Sequence, residues 1–253
     1  MIDTTSHYQF LTTRPQRRMI SKNHPEFLYI LPHQTVTSPK LVAVVTYTDN
    51  TSEKHELLAT TLRAGETRMY DISYAKRNYD MLNPAKTIRK FIIRVDSPDY
   101  PDGTEDYIEC YPYTPTGDHI RAIYYHNSQG GVDSLICVGD EQEQIQANGI
   151  ITAQPFEAVY ESASQQFRYA DPKFRTQHSL SSAAKPGKEV FALKDLFLIK
   201  QAYEYHKHDT VVTRAPIIPE QEQLILPSAK SNIKRLAITY RYAFEQRAMD
   251  RVI

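Results

Sequence analysis

Within the stretch YYHNSQGGVDSLI, Tyr124 to Ile136, three residue types of nucleophilic catalysis fall close together: His126, Ser128 and Asp133. A Ser/His/Asp triad works only if nucleophile, base and orienting acid converge in space beside an oxyanion hole. No G-x-S-x-G elbow accompanies these three, and two strand neighbours rarely align a hydroxyl with its base. The same residues suit a different task. Asn127 and the pair Gly130-Gly131 are turn formers, and glycine tolerates the positive φ of a tight hairpin. The stretch therefore predicts a polar hairpin turn between two strands, pinned by Asp133, in which Gly131→Val harms folding or assembly rather than catalysis.

Other chemistry-bearing groups carry weaker patterns. His206 and His208 alternate in YEYHKHDTVV and could share one face of a strand, with Asp209 on the other. Zinc needs a third and fourth ligand, and neither HExxH nor a Cys pair is present, so a polar hairpin tip is expected. The acids Asp99, Asp102, Glu105 and Asp106 do not match a calcium loop in order or spacing, and read as a solvated linker. The basic cluster RPQRRMISK (Arg14, Arg17, Arg18, Lys22) could touch phosphate or, as a basic arm, dock on an acidic partner surface. Cys110 and Cys137 lack CxxC spacing and are expected as small buried apolar residues. No P-loop or GxGxxG occurs. These readings assign no catalytic, cofactor-binding or metal-ligating residue, and no cofactor.

Thirty basic and thirty acidic residues cancel in 253, and 41% of the chain is hydrophobic. Such a balance gives no field for nucleic acid or an anionic membrane, so neither is expected as a partner. The longest aliphatic run, LVAVV from Leu41, falls far short of the roughly 20 residues of a membrane helix. MIDTTSHYQFLTTRPQRRMI shows no apolar core of a signal peptide, so the chain is expected to be made and kept in a cytoplasm. The 18 Tyr residues suit half-buried sheets and interaction surfaces.

To position these groups the sequence offers mainly strands. Residues 1–25 read as an N-terminal arm. Residues 26–98 carry short β-rich runs separated by Pro, Asn, Asp and Gly, the pattern of a sandwich. TYTDNTSEKHEL is a hairpin with Asp49-Asn50 as its turn. SYAKRNYDMLNPAK allows a short helix with Tyr74, Asn78, Met81 and Leu82 on one face. Asp96 to Asp106, rich in Pro, Gly and acids, is the expected boundary. A second β-rich domain then spans 104–253. Within it, Phe167 to Lys188 reads as an irregular surface excursion. ALKDLFLI reads as a short helix, and RLAITYRYAFE as a closing strand with Leu236, Ile238, Tyr240 and Tyr242 on one face. The expected fold class is mainly β: two β-sandwich-like domains with a few short helices and extended arms.

The aromatic strand, the N-x-x-G-G-apolar-D turn, ALKDLFLIKQAYEY and RLAITYRYAFEQ together resemble, over roughly Tyr107 to Arg247, proteins encoded in phages and prophages of Bacteroidetes-type bacteria. The resemblance implies a virion protein of the tail, neck or baseplate, without catalytic residues. It departs at His126, where Trp or Leu is common, and at IKQAY, where a leucine-rich turn and Ser-Pro is common. It implies a cyclic homo-oligomer that contacts other tail, neck or portal proteins and is assembled in the host cytoplasm. Arms and free edge strands suit such contacts. Two other readings stand beside it: a carbohydrate-binding sandwich whose tyrosines between Tyr107 and Tyr125 form an exposed face, and a hydrolase if His126 or Ser128 lies in a pocket.

Overall fold

The computed structural model describes residues 7–59, 62–98, 106–116, 120–138, 142–153, 167–182, 185–199, 201–208, 211–220, 233–234 and 236–243. The first strands are β1 (Tyr8–Phe10), β2 (Arg17–Ser21), β3 (Phe27–Pro32), β4 (Lys40–Tyr47), β5 (Ser52–Ala59) and β6 (Arg68–Asp71). After the single turn of α1 (Tyr79–Leu82) come β7 (Ile88–Asp96), β8 (Tyr107–Tyr113), β9 (Ile120–His126), β10 (Val132–Val138), β11 (Gln142–Ala153) and β12 (Phe167–Ser181). The chain continues through β13 (Lys185–Pro186), α2 (Gly187–Ala192), α3 (Lys194–Ile199), β14 (Ala202–His208), β15 (Val211–Pro219), β16 (Ile233–Lys234) and β17 (Ala237–Tyr242). The architecture is mainly β, with β-sandwich-like layers and short helices, as the sequence predicts.

The first layer pair is a sandwich. A five-stranded sheet, order β2-β8-β7-β4-β5, faces a three-stranded sheet, order β1-β3-β6. Alternation decides which side chains meet: Leu41, Ala43 and Val45 of β4 and Phe91, Ile93 and Val95 of β7 are fully buried against Leu28 and Ile30 of β3. The β4–β5 hairpin turns as expected, with Asn50 at φ 64° and the Asp49 carboxylate accepting from Thr51 N at 2.9 Å.

The second layer is a seven-stranded sheet, order β10-β9-β14-β15-β17-β12-β11. A bridge from Cys137 to Ser182 brings edge strand β10 back beside the end of β12, and β11 pairs with β12 further along that same side. The sheet thus curls into a small barrel-like unit around Ile123, Tyr125, Leu135, Cys137, Ile217, Ile238 and Tyr240, with Leu193 between α2 and α3 and Leu196 of α3 packed into it. Its outer face, through Tyr124, meets Phe27 on the back of β3, with ring centroids 6.0 Å apart.

The sheets divide the chain differently from the sequence boundaries. Residues 8–10 and 17–21, inside the expected arm 1–25, are strands, and β2 pairs in parallel with β8. Strand β8, expected to open the domain 104–253, pairs antiparallel with β7 and belongs to the first sandwich. The reason is apolar: Ile108 and Cys110 complete the buried face begun by Phe91 and Ile93. Most of the Asp96–Asp106 linker lies outside the described residues, and the polypeptide crosses between sheets after Tyr113. Phe167 to Ser181, expected to be irregular, is the long strand β12, paired with β11 along its length. In α1 the buried residue is Tyr79, stacked on Phe91 at 4.4 Å, while Met81 is exposed. One helical turn is too short for the expected stripe to form.

Candidate functional site

The hairpin β9–β10 is built by two strands rich in β-branched and aromatic residues. Its register sets His126 opposite Val132 and Tyr125 opposite Asp133, leaving Asn127 to Gly131 as the loop. Asn127 organises that loop. Its backbone N–H donates to Gly131 O at 3.0 Å, and its Oδ1 accepts from the amides of Gln129 and Gly131, each at 3.0 Å. Its Nδ2 donates to Leu11 O at 3.1 Å and to Asp133 Oδ2 at 2.9 Å, so the buried amide is satisfied at every position. Gly130 has φ 89°. A Cβ at Gly131 would stand 2.0 Å from the carbonyl oxygen of Leu11. Only glycine allows the segment before Arg14 to run this close.

The three triad candidates do not assemble. Because successive strand residues alternate between faces, Asp133 shares a face with Tyr125, while His126 shares the other with Val132. Asp133 accepts from Thr12 Oγ1 at 2.5 Å and from Thr13 N and Oγ1, each at 3.1 Å, in addition to Asn127. Ser128 instead bonds Asp195 of α3, its N and Oγ each 2.9 Å from Oδ2. The ring of His126 lies edge-on to Tyr203, with centroids 6.2 Å apart. The turn reading holds, and its polar residues tie three chain segments together.

Beneath the turn lies a buried charged network that the sequence pointed to only as a basic cluster. Arg14 Nη1 meets Glu26 Oε1 at 2.6 Å and donates to Ser134 Oγ at 2.9 Å, while Nη2 donates to Met19 O at 2.8 Å. Ser134 in turn donates to Glu26 Oε2 at 2.6 Å, and Met19 N donates to Glu189 Oε1 at 3.3 Å. Burial alone would lower the Arg14 pKa, but the charges of Glu26, Glu189 and Asp133 outweigh it and hold the guanidinium above its ordinary range. Burial, joined by the Arg14 charge, lowers that of Arg18. Arg18 donates to Pro15 O, Thr12 Oγ1 and Arg14 O. Arg17 and Lys22 pair with Glu109 and Asp80. The acidic surface this cluster docks on is thus the chain's own. The cluster joins β2 and the segments that precede β2 and β3 to β10 and α2, and so fastens the sandwich to the barrel-like unit.

The remaining candidates are scattered. Asp106 receives Phe10 N through Oδ2 at 3.0 Å, whereas Asp99, Asp102, Glu105 and Asp209 lie outside the described residues. The backbone of β14 sets His206 opposite Thr213 and His208 opposite Val211. No group of three or more metal-ligating side chains occurs among the described residues. Cys110 and Cys137 are buried and not joined in a disulfide, and burial pushes the Cys110 thiol up to about 12. Of the tyrosines named for a glycan face, Tyr124 and Tyr125 are buried, and Tyr107, Tyr111 and Tyr113 are half-buried.

One buried group had no sequence signal at all. Glu204 is fully enclosed in the barrel-like unit, where Oε2 accepts from Tyr240 and Tyr242 hydroxyls at 3.0 and 2.7 Å and Oε1 faces Arg121 Nε at 3.3 Å. Its partners come from strands far apart in sequence, so no local spacing marks it. No helix among the described residues is long and apolar enough to cross a membrane, a statement that does not bear on β-barrels. No family model matches this chain, and no curated protein matches it.

Proposed function

We propose that this chain is a non-enzymatic structural component of a bacteriophage particle, at the neck, tail ring or baseplate, acting through subunit–subunit interfaces in a homo-oligomer. The observation that supports this reading is the ribbon of β11 and β12. The two strands pair from Gln142↔Ser179 to Ala153↔Phe167, yet β17 flanks β12 only from His178 to Ser181. Beyond that base the ribbon continues for about ten residues per strand, or about 33 Å at 3.3 Å per residue. A two-stranded ribbon is marginal alone in water and gains stability by packing on something further. In a subunit, that surface is a neighbour. The polar groups of the most catalytic-looking stretch are spent on internal hydrogen bonds, which fits a protein whose work is done by surfaces.

Proteomic analysis of purified particles tests the reading: the chain co-purifies with them at stoichiometric abundance. Its absence from particles of a producing strain would remove the proposal. A glycan array run in parallel separates the carbohydrate-binding alternative, which requires specific binding that the structural reading does not.

A further inference from the structure

Strand β11 is the last strand of its sheet, and among the described residues it pairs only with β12. Its outer edge therefore offers a row of backbone donors and acceptors to another strand. The edge strand β5 of the five-stranded sheet, by contrast, carries Glu53, Lys54, His55 and Glu56. The segment Gln142–Asn148 of β11 reads QEQIQAN and holds a single charge, Glu143. At its centre Ile145 is 58% exposed, flanked by exposed Gln142, Glu143 and Gln144. The bulge between Asn148 and Ile150 ends this regular stretch and limits pairing to these residues.

The order of residues is self-complementary about Ile145. Antiparallel pairing of the segment with itself sets Ile145 opposite Ile145, Gln144 opposite Gln146, and Gln142 opposite Asn148. Each Glu143 falls opposite Ala147, so no like charges meet. Apolar pairs and amide pairs are favourable cross-strand neighbours, and opposed like charges are not.

From this we infer that β11 is a two-fold interface at which a second copy of the chain adds its own β11, joining the two seven-stranded sheets across the axis. The inference rests on the reading of the chain as a subunit, and names one contact of that assembly. The contact is isologous and closes on itself.

Cysteine cross-linking of the full chain tests it. In such a pair the two Cα atoms at position 145 stand about 4.5–5.5 Å apart, within disulfide reach. Positions 143 lie four residues apart along the strand, about 14 Å, outside it. Ile145→Cys is expected to form a covalent dimer under mild oxidation at least tenfold faster than Glu143→Cys. Ile145→Glu, which opposes two carboxylates on the axis, is expected to weaken self-association at least tenfold with an unchanged far-ultraviolet circular dichroism spectrum. Equal cross-linking of the two cysteine variants, or unaltered association of the glutamate variant, overturns the interface. If higher oligomers persist in that case, the subunit reading stands without this contact. A wild-type chain that remains monomeric overturns both, and a cross-linked dimer that is absent from particles overturns only the virion role.

Discussion

Thr12 and Asp133, 121 positions apart, share a hydrogen bond of 2.5 Å, and through it the segment before β2 is held to the turn of the β9–β10 hairpin. The same carboxylate holds Thr13 and Asn127. Asp133→Ala strands these buried donors and is expected to cost about 2–4 kcal/mol, with Asp133→Asn costing less because one oxygen still accepts. Urea denaturation of the two variants against wild type measures both losses.

Gly131→Val meets a backbone oxygen rather than a pliable side chain, since the new Cβ falls 2.0 Å from Leu11 O. The loss is expected to be at least about 3 kcal/mol, the upper part of the range for overpacking. His126→Ala, a few residues away and without a hydrogen bond to Ser128 or Asp133, is expected to stay within about 1 kcal/mol. Thermal midpoints of the pair separate the turn's role from a catalytic one.

Arg14 and Glu26 form a buried pair, each side chain under 10% exposed. Arg14→Met leaves Glu26 charged and unpaired, and is expected to cost about 3–5 kcal/mol. Replacing both, as Arg14→Met with Glu26→Leu, is expected to cost much less than the sum of the single changes. A double-mutant cycle in urea gives the coupling.

Glu109 supplies the pH dependence. Burial acts to raise its carboxyl, but the hydrogen bonds of Lys90 and Tyr111 and the charges of Lys90 and Arg17 outweigh it, so its pKa lies below the ordinary 4.5. A folded pKa below the unfolded one adds stability above the ordinary value and loses it as pH falls through the folded one. The thermal midpoint of the wild type should therefore drop on acidification below 4.5. Glu109→Gln should show a shallower drop.

Both thiols are buried, and that of Cys110 is pushed up to about 12. Neither is expected to react with a thiol reagent at neutral pH in the folded protein, since the thiolate is the reactive form. Colorimetric titration should count both thiols after denaturation and almost none before it.

The sequence carried whatever was local. The turn at Asp49-Asn50, the helix over Lys194–Ile199 and the inward row Leu236, Ile238 and Tyr240 follow from periodicity and turn chemistry within a few residues. It did not carry pairing between distant segments. Strand β2 reads as part of an arm because Arg17, Arg18 and Ser21 surround only two apolar residues, Met19 and Ile20, and the partners of Arg17 and Met19, Glu109 and Glu189, stand on β8 and α2. Strand β8 reads as lying across a boundary because the acidic linker before it is conspicuous, while the match of Ile108 and Cys110 to Ile93 and Phe91 is visible only in register. Strand β12 reads as irregular because Pro172 and the charges of Arg168, Asp171, Lys173 and Arg175 break up any apolar alternation.

Native mass spectrometry of the intact purified chain tests the central claim most directly. The account predicts a discrete homo-oligomer at micromolar concentration, built in even numbers of subunits from the two-fold β11 contact. A single species at the mass of one chain, unchanged as concentration rises, would contradict it.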